Sequence, residues 1–246
     1  MKLVHLGAIA TGIVIALGIV MVLPAFTRSP SYSPPLLVML SFSVTDDSNA
    51  PDWCKDLASI FTRYGIKATV FVTGKVADQY PECVRVFSNN IDIGSQTYDY
   101  VDLTKIPDYT AQFEEVRNGK QAVDYAGKLY SQVFKAPYGS TDGNTYSLLS
   151  RSDIVADFSY EQQYNKYYNG QFIKFDLTAY EGRNHSGGFF HGLSVTETPT
   201  LISFDNSTPT EQIDSFISEL KSGNVRFVNA SELTGIDLTI REGERP

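Results

Sequence analysis

From residue 36 onward, the sequence alternates short apolar runs with segments whose apolar residues recur at helical spacing. Such alternation predicts parallel βαβ units with right-handed crossovers. The predicted strands are Leu36–Phe42, Ala68–Thr73, Ile91–Ile93, Gln132–Lys135, Ile154–Phe158, Gln171–Leu177, Thr200–Phe204 and Val225–Val228. The predicted helices are Pro51–Tyr64, closed by Gly65, Val76–Ser88, Asp108–Gly127, Asn144–Ser150 and Thr210–Leu220. This number of strands favours an α/β fold with an incomplete (β/α) barrel over an open doubly wound sheet.

The N-terminal segment is the longest apolar run in the chain. No Asp, Glu, Lys or Arg occurs between Leu3 and Thr27, and about 20 apolar residues suffice for a helix to cross a bilayer. A secretory signal has a shorter apolar stretch and a small-residue cleavage site, which Leu23–Thr27 does not clearly provide. We therefore expect residues 1–28 to be an uncleaved transmembrane anchor in the cell membrane, with the rest extracytoplasmic. A cleaved signal on a secreted protein is the alternative.

The rest of the chain divides by composition. Residues 29–35 are a Pro/Ser-rich linker, residues 36–240 the globular domain, and residues 241–246 a charged tail. The net charge of −8 argues against a nucleic-acid partner, because a phosphate backbone calls for a basic surface. The 15 tyrosines fit a surface that meets sugars or other proteins through flat amphipathic rings.

Two features fit an exported protein. Cys54 and Cys83 are the only cysteines, and their even number permits one disulfide, with two buried free thiols as the alternative. Three N-glycosylation sequons begin at Asn184, Asn206 and Asn229, although so short a motif often arises by chance. These five residues are therefore candidates for modification outside the cytoplasm.

Several short motifs follow one another in the domain. The stretch Ile91–Leu103 begins as an apolar strand, breaks at Gly94 and continues into polar and aromatic residues. It is similar to the second motif of the polysaccharide deacetylases (NodB homology domain, a carbohydrate esterase type). Further stretches resemble the first, third, fifth and closing motifs of that family, in the same order: Val38–Phe42, Gln132–Gly139, Leu201–Asp205 and Asn224–Leu233. The resemblance implies the incomplete barrel of that family.

The resemblance also implies amide hydrolysis of N-acetylated sugars. In the family, a divalent metal such as zinc, held by one aspartate and two histidines, polarises the acetyl carbonyl and activates water. A second aspartate is the base and a late histidine the acid. The corresponding positions here are Ser43 for the base, Val44 for the metal aspartate, Gln96 and Tyr100 for the metal histidines, and Phe204 for the acid. Lys135 replaces the arginine that steadies the base.

These replacements remove donor atoms that the family chemistry needs. A catalytic zinc takes about three protein ligands, which an amide, a phenol and a valine side chain do not supply. We therefore expect no cofactor and a catalytically degenerate domain. Asp46 and Asp47 are substitute ligands to consider for calcium or magnesium, although helix capping or solvation explains them more simply. His185 and His191 are a further pair, without an evident third ligand.

The other side chains at the predicted mouth of the barrel are aromatic or carry amide and carboxylate groups: Gln96, Tyr98, Tyr100, Tyr138, Phe158 and Asp205. They either line a sugar groove or fill the space of the missing metal site, and the sequence leaves both interpretations open. We expect a membrane-anchored carbohydrate-binding or structural envelope module, with a glycan or an envelope protein as partner. The alternative is an active carbohydrate deacetylase with a relocated metal.

Overall fold

The computed structural model describes residues 34–45, 48–159, 164–168, 171–175, 178–181 and 199–242. The segment Pro34–Pro246 forms one compact unit. The predictions made for the anchor, most of the linker, the end of the tail, Asp46, Asp47, Asn184, His185 and His191 fall outside the described residues. No helix among the described residues is both long enough and apolar enough to cross a membrane.

The described residues form twelve strands: β1 Leu36–Val44, β2 Ala68–Val72, β3 Ile91–Ser95, β4 Leu129–Ser131, β5 Val133–Phe134, β6 Ala156–Asp157, β7 Tyr164–Tyr168, β8 Gln171–Phe175, β9 Thr178–Glu181, β10 Thr200–Asp205, β11 Val225–Val228 and β12 Thr239–Arg241. The main sheet has the order β8-β7-β6-β5-β3-β2-β1-β10-β9, and β11 also pairs with β1. Its neighbours are parallel from β6 through β1 to β9. Because β8 and β9 end the order unpaired with each other, the parallel barrel is incomplete, which confirms the predicted fold class.

The helices that cover the sheet are α1 Ala50–Tyr64, α2 Gly74–Gln79, α3 Glu82–Arg85, α4 Tyr109–Gly127, α5 Gly143–Arg151, α6 Thr210–Lys221 and α7 Ala230–Thr234. The predicted single helix Val76–Ser88 is wrong, since it is divided into α2 and α3. Pro81 separates them, because proline has no N–H to continue a helix and its ring clashes with the preceding turn. Gly65 ends α1 in the left-handed conformation that glycine adopts without strain.

Between β6 and β10 the described residues form the strands β7, β8 and β9 and no helix, in a region where the sequence predicted mostly loop. The strand β7 pairs antiparallel with β6 and with β8, so alternation of strands and helices is lost in this part of the fold. A separate antiparallel pair, β12 with β4, was also not predicted. Both β4 and β12 have only three residues, too few to show a period-2 pattern clearly.

The two faces of β1 carry different residues. Val38, Leu40, Phe42 and Val44 are fully buried against the helices, while the alternate residues face the inside of the barrel. The helix-facing layer contains a stack of Phe42 on Phe204, with ring centroids 5.4 Å apart. A disulfide between the buried residues Cys54 and Cys83 joins α1 to α3 in the same layer.

The amino ends of the strands are closed by α7. Asp92 on β3 accepts hydrogen bonds from the backbone N–H of Ser231 at 2.6 Å and from its hydroxyl at 2.9 Å. Thr69 on β2 accepts another from the backbone N–H of Ala230 at 2.9 Å. Burial raises the pKa of Asp92 to about 6, against the hydrogen bonds from Ser231, which lower it. We call this closed end the foot of the barrel.

Two of the predicted glycosylation sites are buried parts of the fold. Asn206 is 2% exposed, and its side-chain oxygen accepts hydrogen bonds from the backbone and hydroxyl of Thr45. Asn229 is 7% exposed and caps α7 by accepting from the backbone N–H of Glu232 at 3.0 Å. The nitrogen of Asn229 donates to the carbonyl of Asn90 at 3.3 Å. The folded protein therefore presents neither side chain as a free glycan acceptor.

Candidate functional site

The mouth of the barrel lies at the carboxyl ends of β1, β3, β5 and β10. In parallel α/β sheets this end carries the loops that bind ligands. Ser43 ends the barrel-facing row of β1 and stands in register with Asp205 on β10. Gln96 follows β3, and Lys135 follows β5. These four residues define the floor of the mouth, and two tyrosines define its rim.

The rim consists of Tyr100, in the loop after β3, and Tyr138, in the turn after β5. Their ring centroids are 5.1 Å apart and the ring planes are inclined by 53°. The Tyr138 side is open, since this residue is 69% exposed. Both residues have positive φ, 57° and 58°, which costs a residue with a Cβ atom about 1–2 kcal/mol. Such strain persists only where the surroundings fix it.

Hydrogen bonds from α4 and from the loop itself fix the backbone around Tyr100. The hydroxyl of the buried Thr97 accepts the backbone N–H of Val101 at 3.0 Å. The carboxylate of Glu115 accepts the backbone N–H of Asp99 at 3.0 Å. Burial raises the pKa of Glu115, and the charge of Asp99 adds to this effect. Tyr100 is therefore held by bonds on both sides of its own position.

The turn that carries Tyr138 is held by a buried carboxylate on β6. Asp157 accepts hydrogen bonds from the backbone N–H of Ser159, at 3.0 Å, and from its hydroxyl. The Ser159 hydroxyl oxygen accepts the backbone N–H of Ala136 at 2.8 Å. Burial raises the pKa of Asp157 to about 6, although both bonds from Ser159 lower it. The three residues together connect β6 to the start of the turn.

The floor of the mouth carries a lysine between hydroxyl groups. The Lys135 ammonium lies 3.4 Å from the hydroxyl oxygen of Ser41 and 3.3 Å from that of Ser203. It also lies 5.9 Å from the centre of the Phe71 ring. Neither serine was predicted as a site residue, although the period-2 alternation of β1 and β10 places both on the barrel-facing side.

The predicted groove residues do not all lie together. Tyr98 turns away from the rim, because its hydroxyl donates to Asp78 on α2 at 2.9 Å. Phe158 is 2% exposed and packs inside the barrel, with its ring centroid 6.3 Å from that of Phe71. The prediction that Tyr98 and Phe158 line an open groove is therefore corrected by the geometry. Asp205 stays at the mouth, half-buried, and accepts the backbone N–H of Ser207 at 3.0 Å.

A family model for polysaccharide deacetylases matches residues 34–156, which is half of the 246-residue chain. The chain belongs to the polysaccharide deacetylase family. The family resemblance inferred from the five motifs is thereby confirmed. Members of this family use a divalent metal and act on peptidoglycan or other glycans.

The relatives with sequence similarity are longer proteins. The peptidoglycan-N-acetylglucosamine deacetylase PgdA of Listeria monocytogenes is 22% identical over 197 residues, which cover 79% of this chain and 39% of that protein. The chain therefore spans about two fifths of the length of the curated relatives it matches.

Among the solved structures that share the fold are two from Bacillus species. A variant of the peptidoglycan deacetylase PdaC from Bacillus subtilis matches with a TM-score of 0.60 at 14% identity, covering 82% of this chain and 91% of that chain. A CE4 family pseudoenzyme from Bacillus anthracis matches with a TM-score of 0.60 at 12% identity, covering 81% and 65%. At these identities the comparison establishes the architecture alone.

The residues that the motif resemblance predicts at the metal positions do not fit a metal. Gln96 is 1% exposed, and its amide nitrogen donates to the carbonyl of Phe71 at 3.2 Å. The Tyr100 ring packs against Tyr138. Val44 has no donor atom and packs against the helices. In the part of the chain that the structure describes, no three His, Cys, Asp or Glu residues are grouped so that they could hold an ion.

Ser43 and Phe204, which were predicted at the positions of the base and the acid, face different sides of the sheet. Ser43 faces the mouth, with 5% of its surface exposed, but a serine hydroxyl is not a general base without an activating partner. Phe204, the predicted position of the acid, faces away from the mouth, stacked on Phe42 and edge-to-face with Phe216. The assignment of Phe204 to the mouth is therefore corrected, and Ser203 is the residue of β10 that faces inward.

Proposed function

We propose that this chain is a catalytically degenerate member of the polysaccharide deacetylase family that binds carbohydrate at the tyrosine rim. One observation carries the proposal. At the two histidine positions of the metal site stand Gln96, which is buried and bonded to the backbone of Phe71, and Tyr100, which packs on Tyr138. The same loop that would hold a metal in an active relative here supports an aromatic surface.

The size of the expected loss supports degeneracy. Removing a general base alone lowers a rate by about 10²–10⁴. The metal, which supplies both carbonyl polarisation and an activated water, is a further and larger contribution. Ser43, Val44, Gln96 and Tyr100 offer neither function, so we derive no hydrolytic step through this site. The solved pseudoenzyme from Bacillus anthracis is a precedent for a chain of this fold without activity.

The aromatic rim supports a carbohydrate ligand. A pyranose ring presents a face of C–H groups, which aromatic side chains bury while the tyrosine hydroxyl stays in contact with water or sugar hydroxyls. Tyr138 is the most exposed large side chain of the mouth, at 69%. The name of the relative PgdA concerns peptidoglycan N-acetylglucosamine, which makes oligomers of this sugar the first ligands to examine.

The location of the protein is part of the proposal. Residues 1–28 would anchor the chain in the cell membrane and place the domain on the extracytoplasmic side, where a cell-wall glycan or an envelope protein is within reach. Membrane fractionation of cells that express the full chain, followed by protease treatment of intact cells, tests this part. If the protease leaves the domain uncleaved in intact cells and cleaves it only after lysis, the extracytoplasmic location would be contradicted.

The decisive experiment measures metal, activity and binding on one preparation of the full chain. We expect less than stoichiometric zinc by elemental analysis, no acetate release from N-acetylglucosamine oligomers, and oligosaccharide binding by calorimetry. Stoichiometric metal together with acetate release that a chelator abolishes would instead establish the alternative, an active deacetylase with a relocated metal. Absence of any oligosaccharide binding would reject the carbohydrate ligand and leave an envelope protein as the partner to test.

A further inference from the structure

The carboxylate of Asp157 is buried at a place where the fold alone gives little reason for a charge. Asp157 is 1% exposed, and one of its oxygens has no hydrogen-bond partner among the described residues. Burying a carboxylate without full compensation is costly, and a neutral side chain of the same shape would avoid most of that cost. Among the described residues, Ser159 donates hydrogen bonds to the Asp157 carboxylate through its backbone N–H and its hydroxyl.

The charge fixes the direction of the bonds that follow. A hydroxyl has one proton, and in Ser159 that proton is directed to the Asp157 carboxylate. The lone pairs of the Ser159 oxygen are then left for the backbone N–H of Ala136, at 2.8 Å. An ionised carboxylate can only accept hydrogen bonds. The donor and acceptor of each bond, from Ala136 through Ser159 to Asp157, are therefore fixed. A side chain without an acceptor at position 157 would let the Ser159 hydroxyl rotate.

Ser159 contacts the Tyr138 turn at both of its ends. Its hydroxyl holds Ala136 at the start of the turn, and its carbonyl lies against Gly139, where an added Cβ would come within 2.7 Å. The turn itself is closed by a bond from the backbone N–H of Gly139 to the carbonyl of Ala136 at 3.1 Å. Tyr138 lies between these two points in its strained conformation.

We propose that Asp157 and Ser159 are positioning residues, which fix the Tyr138 turn so that its ring is preorganised for sugar stacking. The proposal rests on the carbohydrate ligand of the proposed function. It adds that the affinity of the rim depends on a buried pair that touches no ligand. A fixed ring loses less conformational freedom on binding, which raises affinity without a new contact.

A double-mutant cycle on the full chain separates positioning from general stability. Calorimetry with an N-acetylglucosamine tetramer is done on wild type, Ser159→Ala, Tyr138→Ala and the double variant. We expect Ser159→Ala to weaken binding about five- to tenfold when Tyr138 is present. In the Tyr138→Ala background the same change should weaken binding less than about twofold, because the residue acts through Tyr138.

A matched control distinguishes lost stability from lost positioning. Ser131 is also a fully buried serine, and its hydroxyl donates to the carbonyl of Ile93 at 2.7 Å, between β4 and β3. We expect Ser131→Ala to lower the free energy of unfolding about as much as Ser159→Ala, without changing the tetramer affinity. Asp157→Leu, which removes the acceptor of the Ser159 hydroxyl at a similar size, serves if Ser159→Ala does not fold, and should weaken binding in the same direction.

The positioning is also measured without any ligand. In ¹⁵N relaxation, Ser159→Ala should lower the order parameters of Tyr138 and Gly139, whereas Ser131→Ala should leave them unchanged. Unchanged order at both residues, or an equal loss of affinity with and without Tyr138, would overturn the proposal. If the wild type binds no tetramer, the carbohydrate function fails, and the relaxation result alone decides whether Asp157 and Ser159 position the turn.

Discussion

Near the mouth, the two faces of the central strands differ in chemistry, although their residues alternate along the same strands. Toward the foot the barrel-facing side is apolar too, with Met39 and Leu201 buried there. On the side of the helices, Phe42 and Phe204 stack within an apolar layer. On the side of the barrel, one residue away, Ser41 and Ser203 flank the Lys135 ammonium. The helix-facing side therefore supplies stability through apolar burial, and the barrel-facing side is the part of the sheet that can meet a ligand.

This difference also separates the residues that the sequence predicted at catalytic positions. Val44 and Phe204 belong to the helix-facing layer, while Ser43 stays on the barrel side. Val44 and Phe204 are therefore part of the hydrophobic core and supply no group to the mouth. Replacing Val44 or Phe204 with a polar residue would lower the stability of the core without placing a polar group at the mouth.

The largest effect should come from the helix-facing layer. Phe204→Ala removes a buried ring that contacts Phe42 and Phe216, each with centroids 5.4 Å away, so we expect a loss of about 3–5 kcal/mol in the free energy of unfolding. Ser203→Ala, on the opposite face, should cost less than about 1.5 kcal/mol. Chemical denaturation measures both. Equal losses of unfolding free energy in the two variants would contradict the difference between the helix-facing and barrel-facing sides.

The disulfide should have the next largest effect, since it also lies in the helix-facing layer. Cys54 and Cys83 are separated by 29 positions, and opening a loop of this size costs roughly 3–4 kcal/mol in the chain-entropy model. The double variant Cys54→Ala/Cys83→Ala should unfold at correspondingly lower denaturant. A reducing agent should destabilise the wild type by a similar amount and leave the double variant unaffected, and a reduced wild type of unchanged stability would contradict this role.

A smaller change in the free energy of unfolding should appear when the pH is varied, because a carboxylate is buried at each end of the barrel. Asp92 at the foot and Asp157 near the mouth both have a folded-state pKa of about 6, above the ordinary value of 3.8. The folded state therefore takes up protons before the unfolded state does, and stability rises as the pH falls through 6. Between pH 7.5 and 5 we expect a gain of roughly 1 kcal/mol per group.

Asparagine variants separate the two ends. Asp157→Asn should remove its share of the pH dependence at little cost in stability, because one carboxylate oxygen has no partner to lose. Asp92→Asn should remove its share too, but at neutral pH it should also destabilise, because both oxygens accept bonds from Ser231. Denaturation curves at pH 5 and 7.5 test this. Identical behaviour of the two variants would contradict the different bonding of foot and mouth.

The same contrast explains which parts the sequence could predict. Most strands and helices of the apolar layer follow from periodicity and their parallel order from alternation, except that Pro81 divides α2 from α3. The end of α1 follows from Gly65. The mouth does not follow from periodicity, because it depends on loop geometry. Tyr98 and Tyr100 are two residues apart, yet one bonds to Asp78 and the other packs on Tyr138. The inward direction of Ser203, rather than Phe204, was predictable from strand alternation, since the apolar Ile202 and Phe204 alternate with Ser203 and Asp205.

The smallest effect on stability should come from the rim, where binding and folding separate most clearly. Tyr138→Ala removes a ring that is 69% exposed, so we expect the free energy of unfolding to change by less than about 1 kcal/mol. The affinity for an N-acetylglucosamine tetramer should fall about tenfold, the loss of one stacked ring. Tyr125→Ala is the matched control, because this tyrosine is 84% exposed on α4, away from the mouth. An equal loss of affinity in both variants would show that tyrosines bind sugar wherever they are exposed, and the rim would then have no special role.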